Sequence, residues 1–190
     1  MNKENKNYMS KENKNYMSSR TYNYIKIWEE STPPKYLKNV SNSGRNYAAI
    51  DSMYQNQNAS LKFGGAYGST WGLKDLEYKQ VQLGETTLLH LGCKFFYPGG
   101  EFEIHNSNKL AYMTQGYQNK PGYLKVDDEA FKKLETNTIS KALSKLGFNA
   151  DVFMGKFEDN SYVQEQNYIY AEVQGAKLEA NKIAELIKLT

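Results

Sequence analysis

The chain has 190 residues, of which 39% are hydrophobic and 14% aromatic, enough to bury one good core despite a mean hydropathy of −0.76. Its single cysteine, Cys93, excludes an intramolecular disulfide framework, and no apolar run reaches the roughly 20 residues that span a bilayer. The net charge of +3 is uneven, because residues 1–45 hold nine Lys or Arg against four Glu. The remainder is slightly acidic, so nucleic-acid binding would have to rest on local stripes of positive charge. We expect a cytoplasmic protein with no membrane partner.

The chain starts with a tandem duplication, in which the octamer Lys3 to Ser10 recurs unchanged at Lys11 to Ser18. Two polar octamers cannot stack into a core, so residues 1–19 are predicted to be a disordered tail, with a basic arm on phosphates as the alternative. Residues 20–162 are predicted to form the core domain and residues 163–190 a C-terminal helix.

Between residues 20 and 46 the predicted core contains few regular elements. Tyr22 to Trp28 is predicted to dock as a strand, and the stretch from Ser31 through Pro33-Pro34 to Gly44 to be irregular. Apolar spacing then favours a helix from Tyr47 to Lys62, which Phe63-Gly64 ends.

Three strands are predicted next, and their side chains alternate between apolar and polar. Their ranges are Trp71 to Leu83, Thr86 to Tyr97, and Glu101 to about Met113, and Pro98-Gly99-Gly100 is typical of a tight hairpin. In the second strand His90 and Lys94 point to one side. The apolar residues point to the other side, and they are Leu89, Leu91, Cys93, Phe95 and Tyr97. One face of this sheet is therefore expected to be buried.

A long helix is predicted from a cap at Asp127 or Asp128 to Leu146, with Gly147 as its C-terminal stop. The order of helix, three strands and helix predicts an α+β fold: an antiparallel β-meander, with a β-β-β-α core, backed by the long helix.

A final helix from about Val163 has an apolar stripe at steps of three and four. Packing of this stripe on the domain is favoured over an oligomer or a partner helix. The stripe comprises Ile169, Val173, Ala176, Ala180, Ile183 and Ile187.

The long helix divides into an apolar and a polar side. The apolar side is expected to hold Phe131, Thr138, Ala142 and Leu146, together with Glu135, which would need a buried partner. The polar side holds Lys133, Asn137, Ser140, Lys141 and Ser144, with Lys145 at its edge. Lys141 and Lys145 lie one turn apart and repel mildly unless an anion lies between them, as a phosphate backbone would. A solvated lysine face is the competing interpretation.

Aromatic and basic residues near the glycine turn suggest a nucleic-acid groove. Tyr67 and Trp71 flank this turn, and such rings can stack unpaired bases, although a Trp that opens a strand is more often core. Lys62, Lys74 and Lys94 come from adjacent segments and could line the same groove.

Catalytic patterns are not found in the sequence. His90 and Cys93 fall on opposite faces of a strand, which disfavours a structural metal, and neither histidine belongs to a hydrolytic triad motif. Gly155-Lys156-Phe157 breaks the phosphate-loop pattern, and Asp127-Asp128-Glu129 fits the start of a helix better than a nuclease site. We expect no enzyme activity, no cofactor and no metal.

Several motifs between Pro34 and Val163 resemble a known family. They include Phe63-Gly64 and Trp71-Gly72, then Val126 to Ala130, and above all the runs Lys141 to Val152 and Gly155 to Asp159. On these residues the chain resembles phage single-strand annealing proteins of the superfamily that includes eukaryotic Rad fifty-two and the phage Sak and Erf proteins.

The resemblance implies a phage-encoded recombination protein in a bacterial host cell. Such a protein forms rings or helical filaments of identical subunits, binds single-stranded DNA in a basic groove, and anneals complementary strands without ATP. A single-strand-binding protein or an exonuclease would cooperate with it. Lys141 matches a basic residue of the family's inner groove, and Lys145 compensates for Ser140, where relatives are often basic. The expected DNA-binding residues are Lys62, Tyr67, Lys74, Lys94, Lys133, Lys141 and Lys145.

Two other classes of function stay open on sequence grounds. A single-stranded nucleic-acid coat protein would use the same lysines and aromatic residues, but it would protect strands without annealing them. A metal-dependent nuclease would need carboxylates that the sequence offers only in scattered positions.

Overall fold

The computed structural model describes residues 24–42, 44–116 and 121–188. The described residues divide into two compact units: those up to 54 and from 147 onward form the first, and those from 55 to 146 form the second. The predicted tail at residues 1–19 lies outside the described residues.

Both helices and antiparallel sheets are present, which confirms the α+β class. In chain order the helices and strands are α1 (24–29), β1 (Leu37–Asn42), β2 (Arg45–Ile50), α2 (Ser52–Phe63), β3 (Gly72–Leu83), β4 (Thr86–Tyr97), β5 (Gly100–Met113), β6 (Leu124–Val126), α3 (Ala130–Lys145), α4 (Ala150–Phe153) and α5 (Asn160–Lys188). Single 3₁₀ turns lie at Pro34–Tyr36 and Lys156–Glu158.

The N-terminal predictions were partly wrong. The segment predicted as a strand is helical over residues 24–29, where Ile27 is buried, and the stretch predicted to be irregular contains β1. β1 pairs with β2 in antiparallel register from Leu37 opposite Ile50 to Asn42 opposite Arg45. Neither strand has a clear alternation of its own, so the pair depends on contacts between the two segments.

The helix predicted from Tyr47 starts later, because its first residues belong to β2. α2 begins at Ser52, and the Asp51 carboxylate accepts hydrogen bonds from the Met53 and Tyr54 amides at 2.9 and 3.1 Å. It ends at Phe63, followed by Gly64 with φ of +72°. The predicted glycine stop is confirmed, and glycine suits this position because it adopts the left-handed conformation at the lowest cost.

A buried polar cluster holds the first unit together. The Asp151 carboxyl accepts hydrogen bonds from the Thr32 amide and the Thr32 hydroxyl, both at 2.6 Å, and from the Tyr162 hydroxyl at 3.0 Å. Asn149 donates to the Thr32 hydroxyl at 3.0 Å. These contacts tie the residues before β1 to α4 and the first turn of α5, more than a hundred positions later in the chain.

The second unit is built on a four-stranded antiparallel sheet in the order β3-β4-β5-β6. The three long strands follow one another as predicted, with the turn at Pro98 and Gly99 between β4 and β5. The register of β3 against β4 shifts between Lys74 and Glu77, and Asp75 there has φ of +54°. Such a bulge bends the strand and re-aims its side chains.

One face of this sheet is buried, which confirms the prediction from alternation. In β4 the buried residues are Leu89, Leu91, Cys93 and Phe95, each less than 10% exposed. α3 packs on β4 and β5, and an aromatic cluster extends this core toward α2. In that cluster the Trp71 ring lies 5.9 Å from Phe63 and 6.2 Å from Phe95. Full burial of each large apolar side chain contributes about 1.5–3 kcal/mol.

The long helix differs in detail from its prediction. The predicted cap at Asp127 or Asp128 is wrong, because α3 begins at Ala130 after Glu129, which makes no side-chain cap hydrogen bond. The Asp127 carboxylate accepts a hydrogen bond from the Glu129 amide at 3.1 Å in the turn before the helix. Gly147, with φ of +91°, follows the helix as predicted. Phe131 is 48% exposed instead of buried. The buried side chains of α3 are Ala130, Leu134, Thr138, Ala142 and Leu143.

The last helix begins within the first unit and then runs into solvent. α5 contacts both 3₁₀ turns, Gln166 is 5% exposed, and the Tyr170 hydroxyl donates to the Ser31 carbonyl at 3.0 Å. Beyond Tyr170 the described side chains of α5 are all exposed. The favoured prediction that the apolar stripe packs on the domain is therefore wrong for its described residues past this point. Among the described residues, no helix is long and apolar enough to cross a membrane.

Candidate nucleic-acid interface

The C-terminal half of α3 presents two lysines one helical turn apart. Lys141 and Lys145 are both exposed, while the neighbouring Ala142 and Leu143 anchor this part of the helix in the core. The Lys141 ammonium donates to the His105 carbonyl of β5 at 2.8 Å. In the described part of the chain neither lysine has a carboxylate partner, so both positive charges are available to an anion.

Among the residues that the structure describes, none forms a strand beside most of the β5 edge next to Lys141. β5 pairs with β4 on one side, and on the other side it meets β6 only at residues 111–113. Lys141 satisfies the His105 carbonyl there, but an ammonium has three donors and this bond uses one. Lys141 can therefore donate to the His105 carbonyl and to a phosphate oxygen at the same time.

Lys133 stands at the other end of α3 and is already paired. Its ammonium lies 2.9 Å from Asp127 and 3.6 Å from Glu129. The hydrogen bond to Asp127 raises the pKa of Lys133 and lowers that of Asp127. Eight residues separate Lys133 from Lys141, or about 12 Å along a helix, so Lys133 does not join the Lys141 and Lys145 cluster.

Lys74 and Lys94 are cross-strand neighbours in the sheet, and they share acidic partners. Lys74 forms an ion pair with Glu101 at 2.5 Å, and Lys94 lies 3.4 Å from Asp75 and 3.9 Å from Glu101. The Lys74 bond lowers the pKa of Glu101. A phosphate at these lysines would have to compete with carboxylates already in place.

The glycine turn holds one buried and one exposed aromatic ring. Trp71 is fully buried, and its indole N–H donates to the Gly65 carbonyl at 3.2 Å, as expected for a core residue. Tyr67 is 46% exposed and lies edge-on to Trp71, with 5.1 Å between ring centroids. Tyr67 can therefore offer part of its ring to a base, while Trp71 cannot. Lys62 is an exposed residue in the last turn of α2.

The outward face of the sheet also carries a histidine pair that the sequence did not single out. His90 and His105 stack across β4 and β5 with 5.6 Å between ring centroids, and the His90 Nδ1 lies 2.9 Å from the Ser107 hydroxyl. Gly92 makes this possible, because a Cβ there would lie only 3.1 Å from the His105 ring. Alternation places both histidines outward, but only the strand register brings them together.

Glu135, which the sequence left without a partner, has one on the sheet. The Tyr78 hydroxyl of β3 donates to the Glu135 carboxylate, and the Phe131 ring lies 5.2 Å from the Tyr78 ring. Burial and then the bond to Glu135 raise the pKa of Tyr78. Glu135 therefore helps to fix α3 on the sheet.

Carboxylate, histidine and cysteine side chains do not converge elsewhere in the part of the chain that the structure describes. No group of three or more of these residues could hold a metal ion there. Cys93 points into the core while His90 points outward, so this pair is divided between the two faces.

Comparisons with known proteins leave the family of this chain undefined. No protein-family model matches the chain, and no curated protein shows significant sequence similarity to it. The resemblance to single-strand annealing proteins therefore stays a hypothesis based on the motifs quoted above.

Proposed function

We propose that this protein binds single-stranded DNA and anneals complementary strands without ATP, as a homo-oligomeric ring or filament in phage recombination. The observation that carries the proposal is the pair of exposed, carboxylate-free lysines on α3 within the run from Lys141 to Val152 that resembles annealing proteins. Neither the fold class nor the overall charge would support it alone.

The chemistry of the α3 lysines fits a sugar-phosphate backbone. Residues at i and i+4 on one helix face have Cβ atoms about 5–6 Å apart, so Lys141 and Lys145 can reach the same stretch of a phosphate backbone. Their mutual repulsion is relieved when a phosphate lies between them, and released counterions add a favourable entropy. Contacts of this kind do not depend on base sequence, as annealing requires.

Annealing also requires that bases stay free to pair. Lysines that hold the backbone leave base edges accessible, and an exposed aromatic such as Tyr67 can stack a base without reading its identity. Base pairing supplies the free energy of the reaction. The protein's part is to lower the electrostatic barrier between two polyanions, for which no bond-making residue is needed.

The direct test mixes two complementary labelled oligonucleotides with and without the full-length protein, in the absence of ATP, over a range of salt concentrations. We expect faster duplex formation, with an acceleration that decreases as salt rises. Tight binding without acceleration would replace the proposal with a protective coat protein. Strand cleavage on addition of magnesium would indicate a nuclease, and absence of binding would reject a nucleic-acid function.

A further inference from the structure

From Ile169 onward α5 carries a heptad pattern whose described residues are exposed. Ile169, Val173, Ala176 and Ala180 follow steps of four, three and four, which correspond to positions d, a, d and a of a coiled coil. Ile169 is 39% exposed and Val173 41%, and both alanines are exposed. In the sequence the same spacing continues through Ile183 and Ile187.

The same helix face is docked in its first half, whereas its described residues past Tyr170 are exposed. Gln166 and Tyr162, one and two steps earlier in the stripe, are buried or half-buried, and Tyr170 bonds to Ser31. Past this point α5 keeps its helical backbone to Lys188. A solvent-exposed helix of this length gains little from propensity alone and is normally stabilised by packing of an apolar face. The exposed stripe therefore needs a partner.

Charges beside the stripe are complementary to those of a second copy of the same helix. Glu172 and Glu179 occupy g positions, and Lys177 occupies an e position. In a parallel pair the g residue of one helix faces the e residue of the next heptad on the other helix. Glu172 therefore meets Lys177 of the second copy, and the two-fold symmetry repeats this contact.

An antiparallel pair would have the opposite electrostatics. There g positions face g positions and e positions face e positions, so that glutamates approach glutamates and Lys177 approaches its own counterpart. Like charges at such positions destabilise a pair by about as much as opposite charges stabilise it. Glu172 already accepts a hydrogen bond from Tyr168 of its own helix at 2.7 Å, which leaves its second oxygen for a lysine.

We propose that α5 forms a parallel two-stranded coiled coil with α5 of a second copy, starting beyond Tyr170. Small residues at Ala176 and Ala180 let the helices approach closely but bury little area, so the pair is weak and depends on protein concentration. The inference concerns how two chains meet and does not depend on strand annealing.

Disulfide trapping in the full-length protein tests the contact directly. In a parallel pair the two d positions face each other within disulfide distance, so the Ala176→Cys protein should form covalent dimers under mild oxidation. The matched control is Gln174→Cys, at position b on the far side of the same helix. Cys93 is present and buried in both proteins. We expect at least about tenfold more dimer from Ala176→Cys; equal yields, or none from either, would overturn the proposal.

Charge reversal tests the orientation of the pair. Adding Lys177→Glu to the Ala176→Cys protein should lower the dimer yield about tenfold, and adding Glu172→Lys as well should restore it, because both contacts then reappear with exchanged signs. Failure of the restoration would overturn the parallel arrangement. Annealing that proceeds normally without any cross-link would reject this inference and leave the proposed function standing, whereas cross-linking without annealing would do the reverse.

Discussion

At the scale of single residues, Lys141 is the side chain on which the proposed function depends most. It holds the His105 carbonyl and has no carboxylate partner in the described part of the chain, whereas Lys133, Lys74 and Lys94 are already neutralised in part. Lys141→Ala should weaken binding to a single-stranded oligonucleotide by about 1 kcal/mol and reduce the slope of log K against log salt by about one unit. Fluorescence anisotropy at several salt concentrations measures both quantities.

Lys132 provides the matched control for Lys141 on the same helix. Its side chain is 79% exposed and lies 3.2 Å from Glu129. Lys132→Ala removes the same charge but should change affinity much less. Equal effects of the two substitutions would mean that binding responds to net charge and that Lys141 has no special contact.

Tyr78 gives a pH-dependent prediction for the second unit. Because burial and the bond to Glu135 raise its pKa, the folded protein keeps this phenol neutral at pH values where the unfolded chain, with a pKa near 10, has lost the proton. Its contribution to stability is complete below pH 10 and is lost as the pH rises from there toward the higher folded pKa. Thermal unfolding at pH 9, 10 and 11 should show this decline.

Tyr78→Phe isolates the role of the hydroxyl. The variant keeps the ring contact with Phe131, should lose about 1 kcal/mol at neutral pH with the hydrogen bond, and should show a shallower alkaline decline. Tyr123→Phe, at a residue 64% exposed, serves as the control and should behave like the parent protein. An unchanged alkaline profile in Tyr78→Phe would contradict this assignment.

At the scale of elements, the link between the residues before β1 and α4 depends on one buried carboxyl. Asp151 is 4% exposed and accepts three hydrogen bonds from Thr32 and Tyr162. Asp151→Ala leaves these buried donors without an acceptor and should lower the free energy of unfolding by about 3 kcal/mol or more. Urea denaturation measures this loss, and amide exchange near Thr32 should become faster.

Thr32→Val is a milder substitution in the same hydrogen-bonded cluster. It removes the hydroxyl but keeps the Thr32 backbone amide on Asp151, so it should cost only about 1–2 kcal/mol. A loss as large as that of Asp151→Ala would place the stabilisation in the hydroxyl and not in the carboxyl.

The sequence predicted helices and strands correctly where the local pattern agrees with the packing. β3, β4 and β5 were predicted nearly to the residue, because alternation and the glycine-containing turns mark a half-buried antiparallel sheet. β1 and β2 were missed because their six-residue segments contain little alternation and are strands through pairing with each other. The short helix at residues 24–29 was mistaken for a strand for a similar reason, since its few apolar residues fit both periods.

At the scale of the whole molecule, the duplicated octamer should not contribute to folding. Each copy has only one Tyr and one Met among polar residues, too little apolar surface for a core, so deletion of residues 1–19 should leave the melting temperature and the oligomeric state unchanged. Calorimetry and analytical ultracentrifugation of the truncated and full-length proteins check this. A drop of more than about 5 °C, roughly 2 kcal/mol for a chain of this size, would mean that the segment is part of the fold.

The amino-acid sequence by itself determined the α+β class, the three long strands, the long helix with its glycine stop, and the exposure of Lys141 and Lys145. These features follow from local periodicity and from residue types that favour particular backbone angles. Only the tertiary structure decided that Glu135 bonds to Tyr78, that Asp151 holds Thr32, that three of the six predicted lysines are paired with carboxylates, and that the described part of the α5 stripe is exposed. Each of these depends on which distant segments come together, and that choice is made by packing and strand register, on which local pattern carries no information.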